Sequence, residues 1–214
     1  GSTGKVGQEI VACSEKNPET DLVWRINSQS ERRNLPPVDV IIDFSAPSAL
    51  EKNLALAQEQ KTPIVIGTTG LEEYHYKILE TASKQIPVFW APNFSIGITI
   101  LVHAIEMLSP LLQKNFLPSI TETHHTHKKD SPSGSALALA NATLKGYPSL
   151  PPITSIRLKE VIGEHTISFL AKNEKITLSH EAHSREVFAD GALQAAEFIL
   201  HKPPQLYGMK DLLH

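Results

Sequence analysis

The strongest constraint on the fold is an alternation, through the first part of the chain, of short apolar runs with stretches of helical period. Residues 38–44 (Val-Asp-Val-Ile-Ile-Asp-Phe), 63–66 (Pro-Ile-Val-Ile) and 87–91 (Pro-Val-Phe-Trp-Ala) are such runs. Segments that are apolar on both faces predict strands of a parallel sheet covered on both sides. Between them, residues 47–60 place Leu50, Leu54 and Ala57 at helical spacing behind Pro47, and residues 72–85 predict a second helix. An earlier helix follows Gly1-Ser2-Thr3-Gly4-Lys5-Val6-Gly7, with Val6, Ile10 and Val11 on one face and its end near Lys16-Asn17-Pro18. Leu22-Val23-Trp24-Arg25-Ile26 predicts a short strand. The order is that of an α/β protein with a Rossmann-like, doubly wound parallel sheet.

The rhythm changes after Asn93-Phe94-Ser95. A long apolar helix over 96–112 is followed by a strand at 119–123 and a helix at 134–145. Three extended segments then follow without intervening helices, at 153–162, 165–171 and 175–182, which predicts an antiparallel or mixed sheet. A last helix, 190–201, brings Leu193, Ala196 and Phe198 to one side. Two domains are therefore expected. Residues 1–95 with 185–214 would form the dinucleotide-binding domain, and 96–184 an α+β domain for substrate and oligomerisation.

Composition removes several function classes. The net charge is −3 with histidine neutral, so no global field draws the chain to nucleic acid or anionic lipid. Cys13 is the single cysteine, which rules out an intramolecular disulfide and points to a reducing compartment. No apolar run approaches the roughly 20 residues of a membrane span, and no signal peptide is visible. A cytoplasmic location is expected.

The Gly1, Gly4 and Gly7 turn opens a helix whose N-terminus suits a pyrophosphate. Such a turn normally follows an apolar strand, and nothing precedes Gly1, so the sheet is expected to lack its first strand in this sequence. An acidic residue that binds the ribose 2′-hydroxyl of NAD should follow about 20 residues on. That window reads Arg25-Ile26-Asn27-Ser28, with no carboxylate between Asp21 and Glu31. With Lys5 and Arg25 nearby this leans slightly toward NADPH over NADH, although solvated surface residues would leave the same pattern.

Residues 124–129, His-His-Thr-His-Lys-Lys, precede a Pro-Ser-Gly turn at a helix start. Three readings compete: a solvated polar loop, a metal site, and an anion-binding acid/base site. Closely spaced histidines can ligate metal, but no cysteine is near. Adjacent His124 and His125 on extended chain point to opposite faces, and Lys128 and Lys129 repel a cation. The third reading uses histidine titration near neutrality, the fixed charge of Lys128, and backbone donors at Ser133-Gly134-Ser135. Charge-assisted hydrogen bonds of roughly 1.5–3 kcal/mol each could hold a dicarboxylate.

Residues 122–136 resemble the signature of the 4-hydroxy-tetrahydrodipicolinate (dihydrodipicolinate) reductase family, with Ser135 where threonine is usual. Asp43-Phe44-Ser45, Gly67-Thr68-Thr69-Gly70, Ala91-Pro92-Asn93-Phe94-Ser95, Gly163-Glu164-His165, Ser184-Arg185 and Phe188-Ala189-Asp190-Gly191 resemble further family segments in the same order.

The resemblance implies NAD(P)H-dependent reduction of a cyclic dicarboxylate in the diaminopimelate route of lysine biosynthesis. His124 would be the acid/base residue and Lys128 a second proton donor and carboxylate partner. His125, Ser133, Gly134 and Ser135 would bind substrate carboxylates. Gly1, Ser2, Thr3, Gly4, Lys5, Val6, Gly67, Thr68, Thr69, Ala91, Pro92, Asn93 and Phe94 would contact the dinucleotide, with Arg185 and Phe188 near it. The chain would flex at residues 93–95 and near Ser184. The resemblance also implies a homotetramer built through the second domain's sheet, and no metal. His127 and Lys129 receive no role, and His103 and His183 are expected to be structural. A histidine-rich metal-binding module and a cofactor-dead fragment of such a reductase remain as alternatives.

Overall fold

The computed structural model describes residues 1–30 and 35–213. They form two compact units, Gly1–Phe94 with Arg185–His214, and Ser95–Ser184.

The first unit is built on a four-stranded parallel sheet of order β1-β2-β3-β8: β1 Ile41–Asp43, β2 Ile64–Ile66, β3 Val88–Trp90 and β8 Leu206–Tyr207. Its strands are short and their middle members are sealed; Ile64, Val65 and Ile66 are all fully buried. Successive side chains point to opposite faces, so Ile64 and Ile66 pack with Leu50, Leu54 and Ala57 of α2 (Pro47–Gln60) and with Leu79 and Ala82 of α3 (Glu73–Ala82). The opposite face carries α6 (Glu186–Ile199), where Phe198 stacks edge-on to Phe89, and α1 (Lys5–Lys16) packs on α6. Helix starts follow local chemistry: α2 has proline in its first turn, and α3 has a capping box in which the side chains of Glu72 and His75 bond each other's backbone amides.

The second unit is a mixed sheet of order β5-β4-β6-β7, with β4 Leu117–His124, β5 Ile153–Arg157, β6 Gly163–Leu170 and β7 Lys175–Ala182. β4 runs parallel to β5 and antiparallel to β6, which is antiparallel to β7. Helices α4 (Ile96–Leu112) and α5 (Gly134–Thr143) cover one face, burying Leu101, Ile105 and Leu139 against Ile120, Ile167 and Phe169. The alternate residues form a hydroxyl-lined face, where Thr166 meets Ser179 at 3.0 Å and Ser168 meets Thr177 at 3.4 Å.

Two expectations are corrected, and one strand was not expected. Residues 22–26 are not a strand, since no ladder of the described sheet includes them; their end is held instead by the Ile26 carbonyl, which accepts from the backbone nitrogens of Gly1 (3.0 Å) and Ser2 (3.1 Å). α6 begins four residues before the expected Asp190, because Ala189, Ala192 and Ala196 continue one buried stripe with Glu186 in the favourable first turn. The two-residue β8 is too short to leave a periodic signal.

Candidate active site

In the first unit, the glycine turn is a close-packed knot of backbone. A Cβ on Gly7 would lie 2.1 Å from the Gly1 carbonyl oxygen, and one on Gly1 would lie 2.2 Å from that of Phe44. Only glycine permits this approach. Beside it is a cleft of about 350 Å³ lined by Ser2, Thr3, Gln8, Glu15, Arg25 and Asn27 among others. Thr3, Gly4 and Lys5 are exposed at the start of α1, with Val6 half-buried. Such a turn, opening a helix beside a cleft, fits the pyrophosphate and ribose of a dinucleotide. Arg25 is paired with Glu15, so the cleft's guanidinium is already partly neutralised. The next acidic residue of the window, Glu31, lies outside the described residues.

The other expected nucleotide contacts divide by burial. Thr69 and Pro92 are exposed, and Ala91 is buried. Thr68 is buried with no hydrogen bond to its Oγ1, while its carbonyl accepts from Trp90 Nε1 at 3.3 Å. Gly67 is capped by the Phe44 ring, 2.2 Å from where its Cβ would be. The side chain of Phe94 is 1 % exposed and sits between Phe44 and Phe89 at ring separations of 5.0 and 5.7 Å. Packing has claimed that ring, so the residue can offer a nucleotide only its backbone. Asn93, Arg185 and Phe188 are half-buried, the last two at the start of α6.

The second unit gathers the histidine run into a polar nest. β4 has period two, so Glu122 and His124 share a face, and Glu122 is fully buried. One Glu122 oxygen is hydrogen-bonded to His124 Nδ1, and the other accepts from Arg157 Nη1 at 3.0 Å. Register places His124 opposite Arg157 on β5, Glu122 opposite His165 on β6, and His165 opposite His180 on β7. The His124 and His165 rings meet edge-on at 5.0 Å. His165 Nε2 lies 3.3 Å from Ser133 Oγ, which also caps α5 by accepting from the Ala136 amide. His180 Nε2 contacts Ser95 Oγ, the cap of α4, at 3.1 Å.

The loop after β4 is pinned at several points. Lys128 Nζ pairs with Asp130 at 2.9 Å, and Arg157 Nη2 donates to the Asp130 carbonyl at 2.7 Å. Thr126 N donates to the Lys159 carbonyl at 3.2 Å. His125 is half-buried, His127 and Lys129 are exposed, and Ser135 is half-buried. Gly134 opens α5 with nothing within 4 Å of where a Cβ would project, so the helix start faces open space. His103 stands 3.9 Å from Glu106. His183, expected to be structural, has an 82 % exposed side chain; it follows the end of β7, where the buried alternation stops.

Burial sets the protonation states. It pushes Glu122 up, yet hydrogen bonds from Ser155 and Arg157, with the charge and bond of His124, outweigh it and hold the carboxyl low. Burial pulls His124 down; Glu122 opposes this, and the Lys128 and Arg157 charges add to it. His165 is pulled down to about 4, by burial first and by His124 second. Clustered perturbation of this kind in a polar nest makes it the candidate acid/base site of the chain. Glu122, His124 and His165 also bring one potential ligand atom each within 4.8 Å of one another. Both Glu122 oxygens are already engaged, however, and the Arg157 and Lys128 cations beside them oppose a metal ion.

Glu122, Arg157, His165 and His180 had no role in the reading of the sequence. The spacing of Glu122 and His124 on one strand was a usable signal for the first. The other three depend on strand register.

Known proteins share this arrangement of segments. The family model described as dihydrodipicolinate reductase, N-terminus, matches residues 1–94, and that described as dihydrodipicolinate reductase, C-terminus, matches 97–213. The 4-hydroxy-tetrahydrodipicolinate reductase of Bdellovibrio bacteriovorus is 40 % identical over 216 residues, covering 100 % of this chain and 93 % of the relative. That of Thermosipho africanus is 40 % identical over 213 residues, covering 100 % and 95 %. A dipicolinate-bound dihydrodipicolinate reductase from Paenisporosarcina sp. TG-14 superposes with a TM-score of 0.80 at 24 % identity, over 99 % of this chain and 96 % of that one.

Proposed function

The chain belongs to the dihydrodipicolinate reductase family, and on that premise we infer that it reduces 4-hydroxy-tetrahydrodipicolinate to tetrahydrodipicolinate with a pyridine nucleotide, a step of the diaminopimelate route to lysine. The observation that carries the reading within this chain is the polar nest of the second unit, where a buried carboxylate holds His124 next to the Lys128 loop and the start of α5.

The substrate's hydroxyl leaves as water together with a hydrogen from the adjoining ring carbon, and the conjugated ring so formed takes up one hydride and one proton. The bound nucleotide supplies the hydride from C4 of its nicotinamide; the protein must supply the proton and hold the acid. In our reading His124 gives the proton to the ring where negative charge develops. Lys128 and His125 hold one carboxylate and the Gly134-Ser135 start of α5 the other. The Ser133 hydroxyl, already occupied by the helix cap and His165, supports that helix end. Lys128 would leave Asp130 for the substrate, exchanging one carboxylate partner for another. Such a clamp suits the dipicolinate seen bound to the Paenisporosarcina reductase.

Residues 1–6, 67–69 and 91–94 with Arg185 and Phe188 are our candidates for the nucleotide. NADPH is favoured over NADH by Lys5 and Arg25 and by the acid-free stretch 25–28. The hydroxyl-lined face of the second sheet supports a homotetramer assembled through it, which sedimentation would read as four chains. The unpaired Cys13 supports a cytoplasmic location; among the described residues no helix is long and apolar enough to cross a membrane.

The test is nucleotide oxidation with substrate made in place by the preceding synthase, with fluorescence titration of NADPH alongside. His124→Ala with Lys128→Ala should lower turnover by about 10²–10⁴, the span of general acid catalysis, with nucleotide affinity unchanged. Full turnover in that double variant would overturn the assignment of roles, and failure to bind either nucleotide would overturn the activity for this form.

A further inference from the structure

We propose that Glu122 and Arg157 are positioning residues of the reaction, Glu122 orienting His124 through Nδ1 and Arg157 tying Glu122 to the loop that carries Lys128. The inference rests on His124 and Lys128 having the roles given above. It adds two residues that touch neither substrate nor nucleotide and that act through those that do.

The argument starts from the acceptor character of a carboxylate. An ionised Glu122 has no proton to give, so its bond to His124 requires the imidazole proton on Nδ1. In the neutral ring that leaves Nε2 as the atom that takes up and releases a proton. The chain keeps this edge clear, because a Cβ at Gly163 would lie 3.2 Å from His124 Nε2. Tautomer and access therefore select the same nitrogen.

Arg157 completes the arrangement. Its Nη1 donates to Glu122 at 3.0 Å and to the Ile156 carbonyl at 2.8 Å, and its Nη2 donates to the Asp130 carbonyl at 2.7 Å. Asp130 in turn holds Lys128. One planar guanidinium thus spans the strand that ends in His124 and the loop that carries Lys128, a fork that lysine's single ammonium cannot reproduce. A fully buried carboxylate persists only if such partners are in place. The parallel β4–β5 register, His124 beside Arg157, is what delivers the fork.

Other titratable or charged groups also face His124: His165 from β6 with His180 behind it on β7, and Lys128 and Asp130 from the loop. Glu122 is the nearest negative charge among them and favours the protonated ring. Its loss therefore displaces the pH at which the proton donor is exhausted toward lower values.

The experiment uses the full chain as wild type, Glu122→Gln, Arg157→Lys and His124→Gln, with kcat, both KM values and the pH profile of kcat/KM. Glutamine keeps the shape of glutamate but offers a single acceptor, which cannot serve Arg157 and His124 together. Glu122→Gln should lower kcat about 10- to 100-fold, the usual cost of removing a supporting partner, leave the nucleotide KM unchanged and move the basic limb to lower pH. Arg157→Lys should raise the KM for the dicarboxylate and lower kcat. Imidazole ¹⁵N spectra of the wild type, with His124 assigned from its glutamine variant, need no substitution of the buried pair and should show the neutral ring protonated on Nδ1. Protonation on Nε2, or wild-type kcat and pH profile in both Glu122→Gln and Arg157→Lys, would overturn the proposal. If His124→Gln itself turns over normally, the acid/base assignment falls instead, so the two failures are distinguishable.

Discussion

Acidification should destabilise this protein through one buried imidazole. His165 is 4 % exposed on β6, and burial, followed by the charge of His124, lowers its pKa from 6.5 to about 4. Between those values the unfolded chain binds a proton that the folded chain refuses. Stability from this group is thus present above 6.5 and is lost as the pH falls toward 4. A displacement of about 2.5 units, at about 1.36 kcal/mol each, corresponds to about 3 kcal/mol in all, of which about 2 kcal/mol is gone by about pH 5. Urea unfolding followed by circular dichroism, repeated from neutral to mildly acid pH on wild type and His165→Gln, measures it. The glutamine amide can still reach Ser133 but does not titrate, so its stability should fall less steeply by about that amount. Parallel stability profiles for the two proteins would refute the reasoning, as would an NMR titration of His165 with an ordinary midpoint.

Gly191→Ala should lower the melting temperature, because the new Cβ would lie 1.8 Å from the Phe94 carbonyl oxygen and α6 must shift; overpacking of this kind costs about 1–3 kcal/mol. The matched Gly134→Ala, with open space around it, is the stability control for calorimetry. Ser133→Ala removes the α5 cap and should cost about 1 kcal/mol, with Ser133→Thr recovering most of it, read by the same scans. Glu15→Gln frees Arg25 and should raise the ratio of kcat/KM for NADPH over NADH. Both partners are about half-exposed, so the pair is worth at most about 1 kcal/mol and the change about fivefold. A ratio that falls would show that Arg25 does not meet the nucleotide.

Local order was legible wherever adjacent residues encode it. Pro47 with Leu50, Leu54 and Ala57 specified α2, the β-branched run Ile64-Val65-Ile66 specified a sealed strand, and the apolar stretch 96–112 specified α4. Burial periodicity is a property of a few neighbours in the chain, so it survives without knowledge of the rest. The expected strand at 22–26 failed for the complementary reason: β-propensity describes a surface that wants a partner, and none of the described ladders supplies one there. The aromatic ring of Phe94 went to the core by the same kind of competition, since Phe44 and Phe89 bury it more favourably than a cleft could.

The site divides along the same line. Residue types and spacing alone determined that His124, His125 and Lys128 make a local cationic, titratable patch ahead of a helix start, and that the glycine turn opens a helix; how closely that turn approaches other backbone was decided by the fold. The shared face of Glu122 and His124 was legible in their spacing on one strand; only the tertiary structure decided that Arg157, thirty-five residues away, holds Glu122 and the Lys128 loop together, and that His165 is a neutral neighbour. Chemical identity is written in each side chain, whereas register is chosen by the summed packing of a whole sheet against its helices. A partner contributed by register therefore cannot be read from either strand by itself.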